Sequence, residues 1–289
     1  MRILMVEKTR VGGVHVHVSS VAKELRKLGH EVNIITRVED LGFSSFVDSY
    51  SAMKKFFAKK AQQYDIIHAH DWSIVYPAIR AGVGNLVATF HGLPTTFIAK
   101  YFQDTAIRAL GSRAVVISPR MLITYPSATY VPNGIDPNIF LPNRPGKQDE
   151  VLVLGVAQKY YRREITRVAT DLGFRVHTAE GIPYSRMPEF YNSVDVFVSI
   201  PPRTTGFNMV WLEAMACEVP YIIGMNVGIG EILPIYKVNG IKELKTLLTT
   251  IKEGNLPPLK GSRKWVIENG FTWAEHARQI VRIYSEVVV

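Results

Sequence analysis

Cysteine is almost missing from this chain. Cys217 stands alone among 289 residues, so no internal disulfide can form, and a reducing compartment fits. It lies in an apolar stretch, where a small core side chain is its expected role. No run of about 18 apolar residues occurs, which argues against a transmembrane helix. The opening MRILMVEKTR has too short an apolar run for a secretory signal, so a cytoplasmic location is expected. Zinc-ligand spacings, RNA-binding aromatic motifs and a basic zipper are also missing. Their absence argues against sequence-reading of nucleic acid, and no nucleic-acid partner is expected.

Positive charge is what the chain has in excess. The formal net charge is +9, with 16 Lys/Arg against 10 Asp/Glu in residues 1–140 and 18 against 15 in 141–289. Such a balance suits phosphorylated substrates, anionic lipid or nucleic acid without choosing among them.

Short apolar runs alternate with amphipathic stretches. RILMV is a strand, followed by the glycine-rich RVGGVHVHVS and a helix with Val18, Val21, Ala22, Leu25 and Leu28 at helical spacing. Gly29 stops that helix. EVNIITR, DIIHAH, NLVATFH, RAVVIS and ATYVPN are further strands. Continuous apolar strands with helices between them predict a parallel sheet covered on both faces. PNRPGKQDE (142–150) reads as a linker, after which the pattern restarts at VLVLG. Two α/β domains are expected, at 1–145 and 146–271. They are expected to face each other across a cleft, with ligands beyond the carboxyl ends of the strands.

Five stretches there could carry chemistry. Gly12 and Gly13 let backbone approach a ligand at a helix start that suits an anion; the alternative is a plain strand–helix turn. This stretch lacks the third glycine of GxGxxG, which counts against a nicotinamide-dependent dehydrogenase. His68, His70 and His91 end strands; each is either structural or able to hydrogen-bond a sugar, with His91 before Gly92 the best placed for function. They could in principle form a metal site, but no carboxylate–histidine spacing matches a known metal-hydrolase pattern. VPNGID (131–136) is a turn. Lys159, Arg162 and Arg163 stand at a helix start, where cations oppose the helix dipole; they grip an anion or form a solvated face.

The fifth stretch, TGFNMVWLEA, puts Gly206, Phe207, Asn208 and Met209 at a helix N-terminus able to hold a diphosphate. Glu213 follows in a helix that is apolar on every side. Buried acids are rarely left without a partner, and the hydroxyls of a ribose would suit it.

In order along the chain, the GG loop, HAHDW, TFHG, VPNGID, LEAMACEVP, GIGE (228–231) and the final FTWAEHARQIVRIY resemble the retaining glycosyltransferases of family 4, of GT-B fold. The resemblance implies two Rossmann-like doubly wound domains facing across a cleft, with the last helix, 272–289, packing back on the first. It implies metal-independent transfer of a sugar from a nucleotide-sugar donor to an unknown sugar or lipid-linked acceptor, with no cofactor. No DxD metal motif is present, in agreement. Glu213 would be the second acid of the family's E-x7-E and bind the donor ribose. Gly12 and Gly13 would contact diphosphate or acceptor, and His91 would assist at the reacting centre.

Two departures stand out. Thr205 occupies the place of the first acid, so a hydroxyl replaces a charge at a catalytic position. By analogy with lost oxyanion donors, such a change costs about 2.7–4 kcal/mol. Val156 stands where a diphosphate-binding arginine is expected, leaving Lys159 and Arg162 as substitutes. The same residues therefore also fit a non-catalytic nucleotide-sugar-binding or partner subunit on this fold. YSAMKKFFAKKAQQY (50–64) mixes aromatics with lysines. It reads either as a peripheral contact with an anionic membrane or as a helix packed on the first domain with solvated lysines.

Overall fold

The apolar runs become strands buried on both faces, as in β3 (Ile66–His70) and β4 (Leu86–Phe90), where every residue is buried. The computed structural model describes residues 1–144, 150–157, 160–203 and 205–288. The first unit, Met1–Asn133 with Trp273–Val289, opens β1 (Arg2–Glu7), α1 (Gly12–Lys27), β2 (Glu31–Thr36) and α2 (Phe46–Lys60). After β3 come α3 (Trp72–Arg80), β4, α4 (Phe97–Leu110), β5 (Ala114–Val116), α5 (Pro119–Thr124) and β6 (Thr129–Tyr130). The strands form a parallel sheet in the order β2-β1-β3-β4-β5-β6. Its order reverses between β1 and β3, the switch point at which ligands of open α/β sheets bind.

The second unit, Gly134–Thr272, holds β7 (Val153–Val156), α6 (Arg162–Asp171), β8 (Arg175–Thr178), α7 (Met187–Asn192) and β9 (Val196–Val198). Then follow α8 (Met209–Ala216), β10 (Tyr221–Gly224), β11 (Tyr236–Lys237), α9 (Ile241–Lys252) and α10 (Ser262–Glu268). Its parallel sheet runs β11-β10-β9-β7-β8, with the reversal between β7 and β9. The last helix, α11 (Trp273–Val288), belongs to the first unit, and its Tyr284 hydroxyl lies 2.7 Å from His68 Nδ1.

The division between units falls about a dozen residues earlier than the composition of 142–150 indicates. Ile135 N donates to Phe271 O at 3.0 Å, and Phe140 is buried in the second core. Arg263 donates to the carbonyls of Phe140, Pro137 and Ala216, tying the segment down. A Pro/Gly-rich stretch marks where a chain bends, but burial and backbone pairing decide which core holds it.

Local patterns mostly survive. Val18, Val21, Ala22 and Leu25 bury the face of α1, whereas Leu28 sits at its C-cap and is 47% exposed. Gly29 takes φ +85° just beyond, the left-handed position that ends a helix. In α2, Met53 and Phe57 are fully buried, and Phe46 packs on Trp72. Its core-facing aromatics are thus used internally, and Lys55 and Lys59 are exposed. Exposed apolar side chains lie instead on α4, at Phe97, Ile98 and Tyr101. Among the described residues, no helix is long and apolar enough to cross a membrane.

Candidate functional site

In the first unit the strand-end histidines join a larger imidazole network. His68 is held by Tyr284 and by Thr89 Oγ1, the latter at 2.7 Å. His70 Nδ1 lies 3.2 Å from His91 Nε2. His17, one turn into α1, meets Asn133 Oδ1 at 2.8 Å and packs edge-on to His91 at 4.7 Å between ring centres. His276 of α11 donates from Nδ1 to Pro132 O at 2.7 Å. VPNGID is therefore more than a turn, because Pro132 and Asn133 anchor two of these rings.

Burial holds all five rings neutral at pH 7. It pulls His68 to about 3 and His276 to about 4, and it lowers His17, His70 and His91 as well. The ligand atoms of His17, His70 and His91 lie within 4.8 Å of one another, close enough to share a metal ion. Among the described residues no carboxylate joins that set, and the network equally serves as a neutral hydrogen-bond scaffold around His91.

Asp71 fixes His91 from the other side: its Oδ1 accepts from the His91 backbone N–H at 3.2 Å. It has φ 65° and ψ 154°, a conformation otherwise almost confined to glycine. Gly12 opens α1 with φ +84°, whereas Gly13 needs no positive φ, and a Cβ there would touch nothing. No side chain caps α1, and its first turn carries no acid, so its positive end is left for another anion.

In the second unit the stretch after β9 leads into α8. Asn208 is the N-cap but does not cap the helix; its Nδ2 donates to Ser199 Oγ at 2.7 Å. The first turn of α8 holds no acid. Thr205 and Gly206 are pressed from below by GIGE: a Cβ on Gly228 would lie 2.4 Å from Gly206 O and 2.6 Å from Thr205 O. Only glycine permits that approach, so the turn sets the height of the loop.

Glu213 is hydrogen-bonded within the protein. It is 3% exposed, as expected for a carboxyl in an all-apolar helix, but it does not lack protein partners. Tyr191 donates its hydroxyl to Oε2 at 2.6 Å, and Tyr184 supplies a second hydrogen bond. Burial outweighs both and lifts the carboxyl to about 7. Tyr191 is fully buried, whereas Tyr184 is 37% exposed. The described cavities of this unit, of about 710 and 460 Å³, are lined by neither Glu213 nor residues 205–209.

The basic residues are dispersed. Arg162 Nη1 is paired with Glu180 at 2.5 Å, and Arg163 is exposed. Lys159 lies outside the described residues. Val156 is buried in β7 and offers no donor from its side chain. Each unit thus gathers its own set: Gly12, Gly13 and His91 in the first, and Thr205 to Met209 with Glu213 in the second.

Sequence reasoning missed His17, His276, Tyr184, Tyr191 and Asp71. Two signals were present. His17 lies four residues before Val21 on the buried face of α1, and Tyr191 lies within the amphipathic stretch before β9.

Residues 11–139 match the model of Glycosyltransferase Family 4, and residues 141–245 match that of Glycosyl transferases group 1. A GDP-mannose-dependent alpha-(1-6)-phosphatidylinositol monomannoside mannosyltransferase of Mycolicibacterium smegmatis is 23% identical, covering 72% of each chain. An uncharacterised glycosyltransferase of Methanocaldococcus jannaschii is also 23% identical, over 99% of each. Among solved structures, the catalytic domain of starch synthase IV from Arabidopsis thaliana, bound to ADP and acarbose, has a TM-score of 0.66. It is 12% identical over 99% of both chains. An alpha-glucosyltransferase in complex with UDP and DNA has a TM-score of 0.59 at 11% identity, covering 99% of this chain and 100% of its own. At these identities the structural likeness speaks for the fold, which is GT-B.

Proposed function

The chain belongs to glycosyltransferase family 4, and on that premise we propose that it moves a sugar from a nucleoside-diphosphate sugar to an acceptor hydroxyl with retention of configuration. The observation that carries this reading is the loop of Thr205, Gly206 and Phe207 entering an uncapped, acid-free α8 at the carboxyl end of β9. Helix amides there suit a diphosphate leaving group. His91, kept neutral by burial, hydrogen-bonds the transferred sugar without adding charge. Glu213 receives a ribose hydroxyl in the place of Tyr184, and Lys159 assists at the diphosphate. The acceptor is a sugar or lipid-linked molecule, lipid-linked acceptance being supported by the name of the mycobacterial relative.

The deciding experiment incubates the chain with UDP-, GDP- and ADP-sugars and measures diphosphate release with and without candidate acceptors. Acceptor-dependent release from one of them supports the reading. Binding of a nucleotide sugar without turnover would establish the alternative, a non-catalytic subunit. That alternative draws on Thr205, Val156 and the pairing of Arg162 with Glu180. Transfer is expected to proceed unchanged in EDTA; its loss would assign an ion to His17, His70 and His91.

A further inference from the structure

Arg37 follows β2 and is only 2% exposed. Nη2 donates to Ser44 O at 3.2 Å, but among the described residues Nε and Nη1 have no partner. A guanidinium taken out of water without an anion is costly, and burial alone lowers its pKa. Its surroundings point to what completes it. Arg37 lines a cavity of about 470 Å³ within the first unit, together with Lys8, Ser73, Asp71, Trp72 and His91. Lys8 and Arg37 leave neighbouring strands, with Val38 N donating to Lys8 O at 3.0 Å. Both therefore stand at the carboxyl edge of the sheet, where this topology places its ligands. Asp71 is the one acid of the lining, and it is tied to the His91 N–H, leaving the cavity net positive.

We propose that this cavity binds the phosphate of an anionic acceptor, gripped by Arg37 and Lys8 while its hydroxyls face His91 and Asp71. A tetrahedral oxyanion has enough acceptors for both cations, and guanidinium is the side chain best suited to hold one out of water. This deepens the glycosyltransferase reading and rests on it, because it names the acceptor class. The phosphate belongs either to a soluble sugar phosphate or to a phospholipid headgroup.

The test keeps the second unit saturated with the nucleoside diphosphate that binds best, so that added phosphate reports on the first unit. Inorganic phosphate and glucose 6-phosphate are titrated while the ¹⁵N resonance of Arg37 Nε–H is followed, with glucose as the neutral control. Phosphatidylglycerol vesicles form the lipid arm, read by co-sedimentation. Phosphate-dependent movement of that resonance is expected, with glucose 6-phosphate binding more tightly than glucose. Vesicle binding without soluble binding would assign the lipid source, and the reverse the soluble one. Arg37→Gln is expected to weaken whichever ligand binds by at least about tenfold, and Lys8→Gln by a smaller factor. Should Arg37→Gln not fold, the native titration and Lys8→Gln carry the test. Absence of phosphate binding in both arms, or unchanged binding in the folded variants, overturns the proposal. Diphosphate release by the native chain is a separate readout, so failure of this inference and failure of the transferase reading are told apart.

Discussion

Asp71 occupies a backbone conformation that costs a non-glycine residue about 1–3 kcal/mol, and it does so while holding the His91 amide. Such strain persists only where the surroundings over-determine it. Replacing Asp71 with glycine removes the strain and the acceptor together. Asp71→Gly is expected to melt within a few degrees of the native chain while transfer falls by at least about tenfold, the value of one lost hydrogen bond. Unchanged kinetics would reduce Asp71 to a structural residue. Glu213 is the second residue-scale case. Its carboxyl is lifted from 4.5 to about 7, so between these values the folded chain holds a proton that the unfolded chain releases. The contribution of this group to stability is therefore greatest below pH 4.5 and declines as pH rises to about 7, by roughly 3 kcal/mol in all. Glu213→Gln is expected to flatten that decline, as read by urea unfolding across pH 5 to 8. If Glu213 also receives ribose, the same variant loses nucleotide affinity.

Among the elements, α8 is defined less by its own sequence than by what lies beneath its entrance. The helix is apolar on all sides, and Trp211, Leu212, Ala214 and Met215 are fully buried. The Gly228–Glu231 turn brings the Gly228 backbone close beneath the carbonyls of Thr205 and Gly206. Gly228 has φ +54° and no room for a Cβ. Gly228→Ala is expected to destabilise the second unit by about 2 kcal/mol or more, since strain and clash add. Nucleotide binding should fall in proportion, because the loop would have to lift. Thermal melting with and without nucleoside diphosphate separates the two effects; full retention of the ligand-induced shift would dissociate GIGE from the donor loop.

At the scale of the whole molecule, the buried histidines of the first unit and Glu213 of the second respond to pH in opposite directions. The first buries His17, His68, His70 and His276 as neutral rings, each below its ordinary value near 6.5. The unfolded chain binds protons there that the folded chain refuses, so stability from these groups is present above pH 6.5 and lost as pH falls below it. Hydrogen exchange at pH 5 should show β3, β4 and α11 losing protection before β9 and α8. The reverse order would contradict the neutral network.

Periodicity and apolar runs by themselves determined the two parallel sheets, the order of the elements and the strand ends at which to search, because each depends on local spacing that tertiary contacts do not rewrite. The order of the motifs carried a resemblance to the family, which is a likeness to known sequences and not a reading of periodicity. Three things were decided only in the folded chain. The segment after Asn133 joined the second unit through Ile135 and Arg263. Glu213 found two tyrosines from another part of its unit. The histidines became one network once α1, β3, β4 and α11 converged. Each is a contact between residues distant in sequence, and no local pattern records which partner a buried polar group will meet.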